Sequence, residues 1–170
     1  MKKQKGFSLI ELLIVVAIIL IIAAIAIPNL LRAKISANES SAVGSIRTIN
    51  TSEVSYATTY GTGYAPALTN LGGATPCTAS AATACLIDPF LGAGTKSGYS
   101  FKALPNTGAG TTTNPFTGVE VTGNPLSVGT SGQRSFCSDQ SGVIRFDPAG
   151  AVMGTGAGAC GAIPAAQVLQ

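Results

Sequence analysis

The feature that most constrains this chain is an apolar run from Leu9 to Ile27 that a single acid, Glu11, interrupts. About 20 apolar residues at ~1.5 Å each match a hydrocarbon core of ~30 Å, so the run predicts a transmembrane helix. A carboxylate inside such a helix costs roughly 2.5–3.5 kcal/mol even on the lenient insertion scale. We therefore expect Glu11 to meet a cation that another copy of the chain brings to the same depth.

The residues before the run predict its orientation and its processing. Three lysines, Lys2, Lys3 and Lys5, favour a cytoplasmic N-terminus and an exported remainder. The run is too long for an ordinary secretory signal, and Ile25–Pro28 is a poor cleavage site. A cut after the small residue Gly6 would instead remove the basic leader and leave the helix on the mature protein. An uncleaved signal anchor is the alternative interpretation.

The segment Gly6–Leu12, GFSLIEL, resembles the processing motif of the type IV prepilin family. The resemblance implies cleavage between Gly6 and Phe7 by a membrane prepilin peptidase, which also N-methylates Phe7. It further implies that Glu11 of one subunit forms an assembly salt bridge with the amino terminus of its neighbour. The apolar helices would then form the core of a helical filament.

Two further positions in this segment bear on the resemblance. Pro28 falls where many members carry a helix-kinking proline. We expect a bend there, because proline removes one backbone hydrogen bond and clashes with the preceding turn. Leu20 departs from the family, since many relatives have a glycine that loosens the helix at that point.

Composition predicts one exported domain of about 140 residues after the membrane segment. Charged residues make up only 10% of the chain, and glycine and proline number 21 and 9. Removing the leader takes three of the ten basic residues away and leaves seven against seven acidic ones. The balanced charge gives no strong signal for nucleic-acid binding, which depends on phosphate neutralisation.

Four cysteines, all beyond the apolar run, favour two disulfides in an exported domain. Of three formal pairings, we favour Cys77–Cys85 and Cys137–Cys160, because sequential closure makes small loops. The chain has no histidine and no C-x-x-C motif, so a zinc site is not expected.

Helical periodicity continues beyond Pro28 and predicts an amphipathic helix as far as Tyr60, ended by Gly61–Gly63. Seven residues fall within about 40° of one line at 3.6 residues per turn: Leu31, Ile35, Ala42, Ile46, Ile49, Tyr56 and Tyr60. Such a stripe is typical of a helix that packs on a sheet. Glu53 lies on the same stripe, and either a subunit contact or a local hydrogen bond would explain it.

The remainder predicts an α+β fold in which the transmembrane half of the long helix protrudes and the second half packs on an antiparallel sheet of about four strands. The candidate strands are Tyr99–Leu104, Phe116–Val121, Arg134–Cys137 and Val143–Phe146. The predicted segments are a leader (1–6), a transmembrane and polymerisation helix (7–28), an amphipathic helix (29–60), a connecting loop (61–97), the sheet (98–147) and a disulfide-held tail (148–170).

The residues that carry acid–base chemistry are too sparse to predict an enzyme. Without histidine there is no triad and no imidazole base. Asp139 and Asp147 flank the last predicted hairpin, and we interpret them as a turn residue and a strand-end residue. A calcium site needs six to eight oxygens, which this region does not offer in the sequence. We expect no cofactor and no metal.

Taken with the resemblance, these observations predict a structural subunit of a type IV pilus, a homo-oligomeric helical filament. The family implies a precursor in the bacterial inner membrane, a prepilin peptidase and a pilus assembly machinery as partners, and an extracellular product used in adhesion, twitching motility or DNA uptake. The alternative is a pseudopilin of a type II secretion system, and a third possibility is a minor pilin at a filament tip. The Gly- and Thr-rich loops and the disulfides favour the pilin.

Overall fold

A computed structural model describes residues 7–153, 158–164 and 167–169, and it confirms the predicted α+β class. The predicted leader, including Gly6, and parts of the tail lie outside the described residues. Three helices and five strands follow one another along the chain: α1 (Leu9–Tyr60), α2 (Leu68–Leu71), α3 (Pro89–Gly92), β1 (Thr95–Lys96), β2 (Tyr99–Thr107), β3 (Gly118–Pro125), β4 (Ser135–Asp139) and β5 (Ile144–Asp147).

Helix α1 is 52 residues long and continues through Pro28 to the predicted end. The backbone N–H of Gly61 donates to the carbonyl of Ala57 over 3.1 Å and closes the last turn. Gly61 has φ 68°, a left-handed conformation that glycine adopts without a steric penalty. The helix therefore ends at a residue suited to that turn.

The chain divides into two compact units, one that ends at Lys34 and one that begins at Ile35. In the second unit, four residues of the predicted stripe are buried: Ala42, Ile46, Ile49 and Tyr56. They belong to one hydrophobic cluster with side chains of the sheet, among them Phe101, Val121 and Phe136. This part of α1 therefore supplies one side of the core. Leu31, which belongs to the first unit, is 41% exposed.

The sheet is an antiparallel meander in the order β1-β2-β3-β4-β5, with five strands where the sequence predicts about four. The additional strand is the two-residue β1, within the predicted loop 61–97 that also contains α2 and α3. Strand β2 continues to Thr107, past the predicted end at Leu104 and past a register shift after Pro105.

The central strand β3 starts and ends later than predicted, and it contains Gly123 and Asn124, which are poor strand formers. Strands on both sides hydrogen-bond to it, so tertiary pairing decides its extent. A Cβ on Gly123 would lie 3.1 Å from a ring carbon of Phe101 and 3.3 Å from the Cδ1 of Ile46. Glycine at this position lets α1 approach the sheet closely.

The opposite face of the sheet is covered by the C-terminal tail. Asn124 donates to the carbonyl of Met153 over 3.2 Å and accepts from its N–H over 2.8 Å. Cys137 on β4 is bonded to Cys160. Because both faces are covered, β3 is buried along nearly all of its length, without the usual alternation.

Two disulfides join Cys77 to Cys85 and Cys137 to Cys160, with Cα–Cα distances of 6.0 and 5.7 Å. Both agree with the pairing expected from the sequence. The second closes a span of 23 residues. A loop of this length is worth roughly 3 kcal/mol on the chain-entropy model, which makes it the main covalent support of the tail.

Candidate assembly helix and its acidic side chains

The first part of α1 exposes its apolar side chains all round. Between Leu9 and Ile27 the large ones are 45% (Val16) to 80% (Leu9) exposed. Within the described part of the chain, α1 is the one helix whose length and composition suit a membrane span, and none of its most apolar stretch is buried. A helix that is apolar on every side requires lipid or other helices around it. This surface is the candidate assembly surface, defined here as residues 9–27.

Glu11 lies in the first turn of α1, at the start of the assembly surface. Its Oε2 accepts a hydrogen bond from the backbone N–H of Ser8 over 2.9 Å. A Glu at the third helical position that reaches back to the N-cap residue is one half of a capping box. The carboxylate also lies at the positive end of the helix dipole. Glu11 is therefore partly compensated within its own chain.

The capping role of Glu11 has a local signal that the charge argument for this residue overlooks: Ser8-Leu-Ile-Glu11 is an S-x-x-E pattern at the start of an apolar run. Phe7, the predicted first mature residue, is 77% exposed. Its side chain is thus available for contacts outside the subunit.

The second part of α1 carries two buried acids, of which Glu39 is fully partnered. Its Oε1 accepts from the backbone N–H groups of Gln133 (2.9 Å) and Arg134 (3.0 Å), and its Oε2 pairs with the Arg134 guanidinium at 2.7 Å. Burial alone would raise the pKa of Glu39, but these hydrogen bonds and the arginine charge hold it below the ordinary value. Glu39 fastens α1 to the segment just before β4.

Glu53 is fully buried and has fewer hydrogen-bond partners than Glu39. Its Oε2 accepts from the backbone N–H of Ala65 over 2.7 Å, whereas Oε1 has no partner among the described residues. Burial raises the pKa of Glu53 to about 7, and the Ala65 hydrogen bond offsets only part of that effect. Of the two explanations left open by the sequence for this acid, the local hydrogen bond is present in the structure.

Asp139 and Asp147 serve the turns at which they lie. Asp139 accepts from the N–H and hydroxyl of Ser141, and Asp147 accepts from the backbone N–H groups of Ala149 and Ala151. Within the described residues, no group of three or more acids, histidines or cysteines could hold a metal ion. The arrangement offers turn stabilisation and no catalytic constellation.

Comparison with known proteins agrees with this picture of the N-terminal helix. Residues 1–27 match the family model described as the prokaryotic N-terminal methylation motif. The chain is 64% identical over 39 residues to the type IV wide pilus major component PilA4 of Thermus thermophilus. It is also 44% identical over 54 residues to the type IV major pilin protein PilA of Myxococcus xanthus. Part of the chain is thus similar to these two type IV pilins, and its first 27 residues carry the methylation motif.

The similarity to these two pilins is local. The two alignments cover 23% and 32% of the chain, and 30% and 24% of the respective relatives. No solved structure matches the chain significantly. The family resemblance inferred from Gly6–Leu12 is confirmed, and the matched motif, residues 1–27, includes the whole assembly surface.

The predicted site residues of the N-terminal segment and the two buried acids belong to different units of the chain. Phe7, Glu11 and Pro28 all belong to the unit that ends at Lys34, and Gly6 lies outside the described residues. The sequence did not predict a role for Glu39, although its spacing from Ile35 and Ala42 places it beside the stripe. Its partner Arg134 is 95 residues away, and no local pattern connects the two.

Proposed function

We propose that this chain is a structural subunit of a type IV pilus, which polymerises through the assembly surface of α1 into an extracellular filament. The observation that carries the proposal is the coincidence of two features in one segment. Residues 9–27 expose apolar side chains on every side, and the same residues lie within the segment that matches the N-terminal methylation motif. Outside the membrane such a surface must be buried between like helices, since each CH₂ left in water would cost ~0.8 kcal/mol.

Maturation begins, in this proposal, with cleavage between Gly6 and Phe7 and N-methylation of Phe7 by a prepilin peptidase. The methylation motif matched by residues 1–27 supports this step. The precursor resides in the bacterial inner membrane, with the lysines of the leader on the cytoplasmic side. Removal of the leader leaves a protonated amino terminus four residues before Glu11.

Register along the filament comes from the pairing of Glu11 with the amino terminus of a neighbouring Phe7. Oε2 of Glu11 is occupied by the Ser8 N–H, and Oε1 has no hydrogen-bond partner among the described residues. An unpaired charge in a low-dielectric core costs several kcal/mol, and pairing removes most of that cost. The pair therefore selects one axial position among many that apolar packing alone would allow.

The test is to shear surface fibres from the native bacterium, image them by electron microscopy and analyse their main band by mass spectrometry. We expect this chain to be the main component, beginning at an N-methylated Phe7. A chain found only in the cell envelope would favour the pseudopilin alternative instead. A mature protein that begins at Met1 would contradict the processing step.

A resolved fibre provides the test of register. We expect the Glu11 carboxylate of one subunit within hydrogen-bond distance of the amino terminus of another. A fibre in which Glu11 faces solvent, or lies beside no charged group, would overturn the register mechanism while leaving the filament assignment intact.

A further inference from the structure

Asn50 and Glu53 lie one turn apart on α1, and each has a buried acceptor oxygen without a donor among the described residues. These atoms are Oδ1 of Asn50 and Oε1 of Glu53. The other polar atoms of both side chains are engaged: Asn50 donates to the hydroxyl of Ser138 over 2.8 Å, and Glu53 accepts from Ala65. Positions three apart lie on the same helix face, and both residues line one cleft of about 190 Å³.

Each of these buried acceptor oxygens costs free energy for as long as it has no donor. A single proton changes this arrangement. When Glu53 is a carboxylic acid, its hydroxyl becomes a donor, while the other oxygen continues to accept from Ala65. The acid can then serve the amide oxygen of Asn50, and one proton removes both unpaired acceptors.

We propose that Asn50 and Glu53 form a proton-binding pair that holds the chain after α1 against the helix and loosens it as the pH rises. The site requires no ligand other than a proton. It lies in the unit that begins at Ile35 and includes no residue of the assembly surface.

The groups around Glu53 favour the protonated form. Tyr64 and Asp139 are the other titratable side chains that line the cleft, and no lysine or arginine lines it among the described residues. Tyr56, one turn further along α1, is close enough for Glu53 to contribute to the raised pKa of the phenol, after burial as the main cause. An ionised Glu53 would thus face one further acid and no cation.

The direction of the pH effect follows from the pKa of Glu53, which burial raises from 4.5 to about 7. The native state binds a proton more tightly than the unfolded state. The contribution to stability is therefore complete below about pH 4.5, declines between there and pH 7, and is lost above that.

Loosening at Glu53 would spread through the segment that it anchors. Ala65 is fully buried, and the backbone N–H of the neighbouring Tyr64 donates to the carbonyl of Phe116 over 3.1 Å. Phe116 in turn donates to the carbonyl of Thr62 over 2.9 Å. The Ala65 hydrogen bond is thus continuous with a short bridge to the irregular segment before β3.

The experiment compares the full-length protein with Glu53→Gln in detergent micelles. Urea unfolding is followed by the near-ultraviolet circular dichroism of the four tyrosines, since the chain has no tryptophan. A pKa difference of 2.5 corresponds to about a 300-fold fall in the wild-type folding constant over the whole titration, of which about 150-fold lies between pH 4.5 and 8. We expect Glu53→Gln to show almost none of this fall, because its amide donates to Asn50 at every pH. Glu39→Gln is the matched control and should retain it.

A wild-type profile that is flat over this range, or equal slopes in wild type and Glu53→Gln, would overturn the proposal. A water molecule that serves both oxygens at all pH values would give that result, since the cleft has room for one. Hydrogen exchange of the Ala65 amide gives a second readout. Its protection should fall at pH 8 beyond the intrinsic change of exchange rate, and unchanged protection would contradict the anchoring role.

Direct titration keeps the proposal falsifiable if the glutamine variant does not fold. In protein labelled with ¹³C at glutamate carboxyl groups, we expect Glu53 to titrate with a midpoint near 7 in the wild type. Asn50→Leu removes the acceptor of the acid proton and should lower that midpoint. A wild-type midpoint below 5 would show that the carboxylate is ionised and solvated, contrary to the proposal.

Discussion

The two parts of α1 on either side of Lys34 use the same secondary structure in opposite ways. Before Lys34, apolar side chains are exposed all round, and the one acid, Glu11, is bonded within its own turn. After it, a narrow apolar stripe is buried, and the acids Glu39 and Glu53 bond to segments outside the helix. The second part is therefore held by the fold of this chain, whereas the large apolar side chains between Leu9 and Ile27 are exposed in the described structure.

Replacement of Glu11 tests the first part of α1 with the largest expected effect. We expect Glu11→Leu to reduce the yield of sheared filaments at least ~10-fold, because the neighbouring amino terminus would lose its counter-charge in a low-dielectric core. The stability of the unit that begins at Ile35 should not change. Filament yield is measured by immunoblot of the sheared fraction, normalised to subunit in the membrane.

Glu11→Gln separates charge from capping, since a glutamine side chain still accepts from the Ser8 N–H. If charge pairing sets the register, this variant should assemble as poorly as Glu11→Leu. Normal filaments from Glu11→Gln alone would mean that capping of α1 is the function of this residue, and the register mechanism would be wrong.

A matched pair of isoleucines sharpens the comparison between the two parts. Ile46 is fully buried, whereas Ile18 is 52% exposed. We expect Ile46→Ala to destabilise the fold by about 2–5 kcal/mol through lost burial and a cavity beside Gly123. Ile18→Ala should leave the unfolding transition unchanged and weaken assembly. Urea titrations in micelles measure the first effect, and filament yield measures the second.

Similar unfolding midpoints for the two isoleucine variants would contradict the difference between the two parts of α1. That result would mean that the side chains before Lys34 are buried within the subunit in solution.

Replacement of Glu39 tests the contact between α1 and the segment before β4. Glu39→Gln keeps an oxygen for the Gln133 and Arg134 N–H groups but loses the ionic attraction to the guanidinium. We expect a destabilisation of about 1–3 kcal/mol at pH 7. Because the pKa of Glu39 is lowered in the folded protein, its contribution is present above about pH 4.5 and is lost as the pH falls through the folded value.

The difference between wild type and Glu39→Gln should therefore disappear in acid, and unfolding at several pH values checks this. A difference that persists undiminished at the lowest pH would show that packing, rather than charge, is what the substitution removes.

The sequence predicts the parts of this molecule that depend on local pattern. The apolar run, the stripe through Ile46 and Ile49, and the helix end at Gly61 follow from hydropathy, periodicity and turn chemistry. The strand boundaries do not, because β3 extends through Gly123 and Asn124 for reasons of pairing and coverage on both sides. Local strand propensity contains no information about the neighbouring strands and segments that cover β3.

The acidic residues also divide into one whose contact follows from local sequence and others whose contacts depend on the fold. The capping box at Glu11 lies within four residues and could be read from the sequence, whereas Glu39 depends on an arginine 95 positions away. Glu53 could be identified as an anomaly on the stripe, but its single donor, Ala65, belongs to a loop whose path no periodicity specifies. Long-range partners therefore mark the limit of what the sequence predicts about this site.

The smallest expected effect comes from an exposed pair, Lys96 and Asp88, which provides a baseline for the buried ones. Lys96 Nζ lies 2.8 Å from Asp88 Oδ2, and both side chains are more than a third exposed. The hydrogen bond from Lys96 lowers the pKa of Asp88, yet solvent screens such pairs strongly.

We expect Lys96→Ala to lower the free energy of unfolding by less than about 1 kcal/mol, and this loss should shrink further in 0.5 M salt, as measured by the same urea titration. Asp88 also accepts from the Leu91 N–H at the start of α3, so the lysine variant isolates the ion pair from the cap. If Lys96→Ala lowered the free energy of unfolding as much as Glu39→Gln does, burial would not be what makes the ion pair of Glu39 stronger than an exposed one. The difference between the buried acids of α1 and exposed acids would then need another cause.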